Sequence, residues 1–346
     1  MNAPATSIML DNREQVAITR VDLEELFRQA RAIQSECRDF SVSNATSKNV
    51  YFDGDHCKLK YKPDGDKTRG FEMTKYSLGQ LCNKIGVPVR YIDKCIDSGR
   101  LDLAAENVNS WLDDFGKNLF IREYQNKIRG VLSDRYSVLD TPDIMEVLAD
   151  VIPFDDYTIK GHFLTFERFH ARIIQRDRMN IDGEDLFAGI QIDSSDVGRS
   201  ILTVQFMIFK QVCTNGLCIS RGGGMLFSQK HIGIDKSDFR DSFQKSIGGI
   251  PTLIEHSKEL IEAARTDDKY SVAHFNEKQL QDFIERVKIK TKLPEDGVQK
   301  VIQLMTDRYG SSTWGFVNSL TEVAQDYTLE RRLEVEKTAG EILLAA

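Results

Sequence analysis

Leu23, Leu26, Phe27, Ala30 and Ile33 recur at three-to-four spacing. That spacing predicts an amphipathic helix from about Val21 to Glu36, behind a polar tail over 1–20. Val50-Tyr51-Phe52 and Cys57-Lys58-Leu59-Lys60-Tyr61 flank Asp53-Gly54-Asp55-His56, and Asp-Gly between alternating runs predicts a hairpin. Two short helices are expected over Ser77–Asn83 and Val89–Asp97, split by Gly86 and Pro88, and another over Leu101–Phe115. The middle of the chain then turns to strand chemistry. Ile128–Leu132, Tyr136–Leu139, Tyr157–Ile174, Leu186–Ile192 and Ser200–Val212 are rich in Ile, Val, Phe and Thr, with a helix over Pro142–Val151 between them. In the last strand Leu202, Val204, Phe206, Ile208 and Val212 share one face, broken by Lys210, and the other face is mixed. From Pro251 the pattern is helical, over Thr252–Arg265, Asn276–Lys290, Pro294–Tyr309 and one long run, Thr313–Leu344. The pattern predicts an α+β fold with a central antiparallel sheet of about four or five strands. N-terminal helices and a C-terminal helical region flank it, dividing the chain into a tail (1–20), a core (21–250) and a helical part (251–346).

Composition narrows the class. With 41% hydrophobic and 29% charged residues the chain can bury a sizeable core, which argues against wholesale disorder. Met1-Asn2-Ala3-Pro4-Ala5 opens without a basic segment or long apolar run, and no run is long enough to span a bilayer. The cysteines at 37, 57, 82, 95, 213 and 218 have no pairing rhythm. A cytoplasmic protein with reduced thiols is the expectation. The net charge of -7 argues against coating duplex DNA with the whole surface, but the charge is segregated. Between Val197 and Ile234 stand Arg199, Lys210, Arg221 and Lys230 without an acid. From Tyr157 to Ile181, Lys160, Arg168, Arg172, Arg176 and Arg178 face only Glu167 and Asp177. Such segregation leaves room for a local anion-binding face.

Most short motifs have a plain reading. Cys213-Thr214-Asn215-Gly216-Leu217-Cys218 lacks a second ligand pair for zinc and reads as a buried thiol before an Asn-Gly turn. Arg221-Gly222-Gly223-Gly224 does not match a phosphate-binding P-loop and reads as a flexible loop. Asp177–Gly183 fails the calcium-loop pattern at both ends, and Asp114-Phe115-Gly116 stands without any other kinase motif. Asp193-Ser194-Ser195-Asp196 reads as a polar turn, with metal binding as the rival reading. The most informative stretch is His162–Arg172. On one strand Phe166, Arg168, His170 and Arg172 would share a face, with Phe163 and Phe169 opposite. Cations beside aromatics on an exposed sheet face suit single-stranded nucleic acid, and a core strand with solvated arginines is the bland alternative.

Four separated stretches resemble a phage- and plasmid-borne family known as domain of unknown function 932. They are Gln80–Tyr91, Leu132-Ser133-Asp134-Arg135-Tyr136, Gln211–Leu217 with Lys230-His231 downstream, and Thr313-Trp314-Gly315-Phe316-Val317-Asn318-Ser319-Leu320-Thr321-Glu322. They follow the family's order. Gly216 and Ile232 depart from it, each standing where a threonine is common. The resemblance implies a mobile-element protein and supplies no activity. Within the matched stretches Arg135, Tyr136, Cys213, Asn215, Trp314 and Asn318 read as framework; Trp314 and Asn318 lie four apart on one helix face.

The leading expectation is therefore a non-catalytic, self-assembling protein that binds single-stranded nucleic acid in phage or plasmid recombination or replication. Its contact set is Phe166, Arg168, His170, Arg172, Arg176, Arg178, Lys210, Arg221, Lys230 and His231. No cofactor, catalytic residue or metal site is expected. Two alternatives stand beside it: an enzyme on nucleotides or nucleic acid using Cys213, His231, Asp193 and Asp196, and a non-enzymatic protein that counters or regulates a host complex.

Overall fold

The computed structural model describes residues 20–54, 58–61, 68–153, 156–181, 183–210, 215–218 and 225–345. It is an α+β molecule with two six-stranded sheets, where the sequence pattern predicts one.

The N-terminal helix α1 (Arg20–Ser35) leads into β1 (Cys37–Val42), the β2–β3 hairpin (Val50–Asp53, Lys58–Tyr61) and β4 (Arg69–Met73). Helices α2 (Lys75–Ile85), α3 (Val89–Asp97) and α4 (Leu101–Phe115) follow, then β5 (Leu119–Tyr124) and β6 (Lys127–Leu132). The first sheet has the order β1-β5-β6-β4-β3-β2, antiparallel except where β4 runs beside β6. The hairpin and the three helices lie where the residue pattern places them, and Gly86 ends α2 at φ 79°, a left-handed conformation that costs glycine little. Strands β1, β4 and β5 are additions to that expectation. The β5–β6 turn uses Gln125 and Asn126, both at positive φ, in place of the usual Asn-Gly, so the strongest hairpin signal is absent. Leu81, Val108, Leu112, Ile121, Ile128 and Val131 form the first hydrophobic core.

The second sheet follows α5 (Thr141–Val151). Strands β7 (Tyr157–Leu164), β8 (Phe169–Ile181), β9 (Glu184–Ser194), β10 (Leu202–Lys210) and β11 (Asn215–Cys218) lie in the order β11-β10-β9-β8-β7, and β12 (Met225–Gln229) also pairs with β10. The alternation expected in β10 is present: Leu202, Val204, Phe206 and Ile208 enter the main core, while Met207 and Phe209 meet Ile174 on the other face. Two expectations need correction. Tyr136–Leu139 is not a strand and contributes one bridge, Tyr136 to Ile232. Tyr157–Ile174 is not one strand either. Thr165 folds it into a hairpin, its Oγ1 accepting from the N–H groups of Glu167 and Arg168 while its own N–H donates to the Arg168 carbonyl.

Helices α6 (Lys236–Gly248), α7 (Ile250–Thr266), α8 (Glu277–Thr291) and α9 (Glu295–Leu304) come next, and α9 continues into a π turn over Met305–Tyr309. The long terminal run divides into α10 (Thr313–Val323) and α11 (Leu329–Leu343), separated by a short 3-10 turn. These helices, together with α1 and α5, cover the second sheet and build one extended core with it. No helix among the described residues is long and apolar enough to cross a membrane.

Candidate functional site

The two hydrophobic cores meet through polar groups, and nearly all of them converge on the turn between β9 and β10, Ser195-Asp196-Val197-Gly198. From β5, the buried Arg122 donates through Nε and Nη2 to both oxygens of Asp39 (3.0 and 2.9 Å) and through Nη1 and Nη2 to both oxygens of Asp140 (2.6 Å each). Its Nη1 also donates to the Asp196 carbonyl at 2.6 Å. From β6, Arg129 Nη1 donates to the Phe166 carbonyl at 2.6 Å and lies 3.6 Å from Asp196 Oδ2. From α2, Gln80 accepts from the Val131 N–H at 2.9 Å and donates to the Val197 carbonyl at 2.8 Å. Gly130 lets Val197 approach β6: a Cβ there would lie 3.0 Å from that of Val197. Asp196 Oδ1 accepts from the N–H and hydroxyl of Thr141, at 3.0 and 2.9 Å.

Tyr136 and His231 close the same junction. The Tyr136 hydroxyl donates to the Asp196 carbonyl at 2.8 Å, and its ring stacks on His231 with centroids 5.4 Å apart. His231 Nε2 lies 3.4 Å from Ser194 Oγ, and its Nδ1 is buried without a hydrogen-bond partner among the described residues. Burial holds this imidazole down at about 4, and the nearby Arg122 acts the same way against the opposing pull of Asp140. Asp196 is pushed the other way, to about 7, by burial and by Asp140, which outweigh Arg129 and Arg122.

A second cluster seats α10. Trp314 Nε1 donates to Glu184 Oε2 at 3.0 Å, and Arg265 reaches the same oxygen at 2.6 Å. Lys210 pairs with Glu184 Oε1 at 2.9 Å, with Asn318 Oδ1 3.4 Å away and the Tyr309 ring at 5.1 Å. Asn318 Nδ2 donates to the Trp314 carbonyl at 2.8 Å. Burial pushes the Glu184 carboxyl up, but Lys210, Trp314 and Arg265 outweigh it and leave it below its ordinary range.

The expected strip of nucleic-acid contacts is only partly a surface. His170 is buried and its Nδ1 lies 2.8 Å from Asp193 Oδ1; Arg172 is buried against Glu336 and Gln191. Glu336 is itself buried, and Arg332 on the same helix also pairs with it. Arg172 is therefore a core ion pair and not a solvated cation, because the charged side of α11 packs over this face of the sheet. His231 is likewise buried. Lys210 is taken up by Glu184 and the α10 seat. Arg176 and Arg178 are exposed on the distal part of β8, Arg178 paired with Asp185, and Lys230 is exposed after β12. Arg135 is exposed. Asn215 lies opposite Lys210 in the β10–β11 register, while Cys213 and Arg221 fall outside the described residues.

Phe166 and Arg168 belong to the β7–β8 turn. Phe166 stacks on Tyr124 at 4.9 Å, Arg168 lies over the Phe163 ring at 5.6 Å, and Glu167 between them holds Arg199, whose guanidinium lies 5.4 Å over Tyr76. All of these rings are half-buried. The enzymatic alternative asks for His231 beside Cys213 or the two aspartates; Asp193 pairs with His170, the contact of His231 is with Ser194, and Cys213 lies outside the described residues. Arg122, Arg129, Asp140 and Glu184 carry the two clusters without having stood out in the sequence. The one available signal was an arginine in each arm of Leu119–Leu132, next to the apolar Ile121 and Ile128.

Fold and junction together define an α+β protein whose two sheets are joined by buried ionic contacts. A family model described as Domain of unknown function (DUF932) matches residues 129–341, more than half of the chain, and the protein belongs to that family. No curated protein and no solved structure matches it. Arg122 and Asp39, on the far side of the junction, precede the matched region.

Proposed function

We propose that the protein binds single-stranded nucleic acid without catalysis, as an oligomer, in recombination or replication of a phage or plasmid within the host cytoplasm. The observation that supports this reading is the β7–β8 turn, where Arg168 and Arg199 each lie over an aromatic ring beside the stacked Phe166–Tyr124 pair. Half-buried rings offer π faces to splayed bases, and neighbouring guanidiniums offer charge to the phosphates. The mobile-element setting rests on the motif resemblance. Self-assembly follows from affinity, since one small cationic patch binds usefully only when repeated along a strand.

The test is fluorescence anisotropy of a labelled single strand over a salt series, comparing the wild type with Arg168→Ala/Arg199→Ala. Removing two phosphate contacts lowers affinity by about tenfold or more at low salt and flattens the salt slope by roughly one to two. Binding that is absent in the wild type, or unchanged in the double variant, rejects this surface. Arg172 is unsuited to the experiment because a change there disrupts a buried pair.

A further inference from the structure

Asp196 and His231 are both buried, and Tyr136 joins them, its hydroxyl on the Asp196 carbonyl and its ring on the imidazole. Their partners decide their charge. Among the described residues, the Asp196 cluster sets three carboxyls (Asp39, Asp140, Asp196) against the guanidiniums of Arg122 and Arg129. Arg122 is fully engaged by Asp39 and Asp140 at 2.6 to 3.0 Å, which leaves Asp196 with Arg129 at 3.6 Å and the donors of Thr141. A proton on Asp196 brings the cluster to neutrality. His231 faces a serine hydroxyl, a tyrosine ring, the Ser137 backbone and, further off, Arg122 and Asp140. The Ser137 backbone and Asp140 would compensate an imidazolium there only in part, and burial outweighs them.

We propose that Asp196 and His231 are a compensating proton pair that latches the two sheets together: closed, they stand as carboxylic acid and neutral imidazole; opened, as carboxylate and imidazolium. On opening, one proton leaves Asp196 and one joins His231, so charge and protons balance. The shifts at the two groups agree in direction, Asp196 held up at about 7 and His231 held down at about 4. The signs then oppose each other. The Asp196 acid favours the closed form at low pH, and that advantage is lost as pH rises from about 4 toward 7. Neutral His231 favours the closed form at high pH, and that advantage is lost as pH falls from about 6.5 toward 4. Between these limits the two cancel, and the junction opens with almost no net uptake or release of protons.

The test is hydrogen exchange at the Thr141, Arg199 and Ser137 amides, corrected for intrinsic rates, from pH 4.5 to 6.5. These amides donate to Asp196, Ser195 and His231. In the wild type, protection stays level across this range. In Asp196→Asn it falls as pH drops, and in His231→Gln it falls as pH rises, each by up to about tenfold per pH unit. Variant curves parallel to the wild type overturn the proposal. Should either variant fail to fold, the imidazole resonances of His-labelled wild type decide the matter. A neutral His231 at pH 5.5 supports the latch, and an imidazolium there overturns it.

Discussion

Segments that the sequence reading singled out meet in two places, and the two places are built differently. At the sheet junction, Gln80, Tyr136 and His231 gather around the Ser195–Gly198 turn, and long-range hydrogen bonds and ion pairs make the contact. At the α10 seat, Trp314 and Asn318 meet Glu184 and Lys210, and Gly315 adds close packing against the Tyr309 and Gly310 backbone. The first joins two cores that are otherwise separate; the second fixes one helix within a single core. A short segment can thus mark a contact between two cores, a hinge in the proposal above, or a rivet inside one. The proton pair proposed above belongs to the first.

The largest difference should come from Arg122→Ala. It removes the cation shared by Asp39 and Asp140 and strips the Asp196 carbonyl of a donor. Leaving Asp140 buried and ionised costs about 3–5 kcal/mol, since the loss reflects an uncompensated charge and not the worth of the pair. Denaturant unfolding measures it. Adding Asp140→Asn should restore part of the loss, because Asn also caps helices well and carries no charge. A double variant as unstable as the single one would show that Arg122 acts through Asp39 and the carbonyl alone.

Gly315→Ala probes the second place. A Cβ there would sit 2.5 Å from the Tyr309 carbonyl and closer still to that of Gly310, where backbone and not a flexible side chain must give way. The expected loss is about 3 kcal/mol, at the upper end for overpacking. Exchange protection at the junction should be untouched, which separates the rivet from the hinge. A loss below about 1 kcal/mol would mean that α10 can shift without cost, contrary to the close packing argued from its backbone contacts.

What the residues revealed in advance follows from how locally each feature is encoded. Helix α4 and the β10 alternation are written in contiguous periodicity, and both lie where that periodicity places them. The division at Thr165 depends on one side-chain hydroxyl bonding two N–H groups, which alternation cannot register. Burial of Arg172 depends on Glu336, 164 residues away in sequence, so a cation on a strand looked solvated until α11 was in place. The same holds for Arg122: its partners Asp39, Asp140 and Asp196 come from separate elements, and no spacing rule links them. The pairing of Trp314 with Asn318 was legible because both belong to one helix turn.

Tyr136→Phe should have the smallest effect and the clearest meaning. The ring, and with it the stack on His231, is kept; only the hydroxyl that donates to Asp196 is lost. That carbonyl still accepts from Arg122, so no acceptor is left bare, and the loss should fall near 0.5–1 kcal/mol in denaturant unfolding. A cycle with His231→Gln then divides the two functions of the tyrosine. If the ring matters mainly as cover for a neutral imidazole, Tyr136→Phe leaves the pH response of His231 in place. Coupling of less than about 0.5 kcal/mol between the two positions would agree with that. Strong coupling would instead make the hydroxyl, and the Asp196 turn it holds, part of what keeps His231 uncharged.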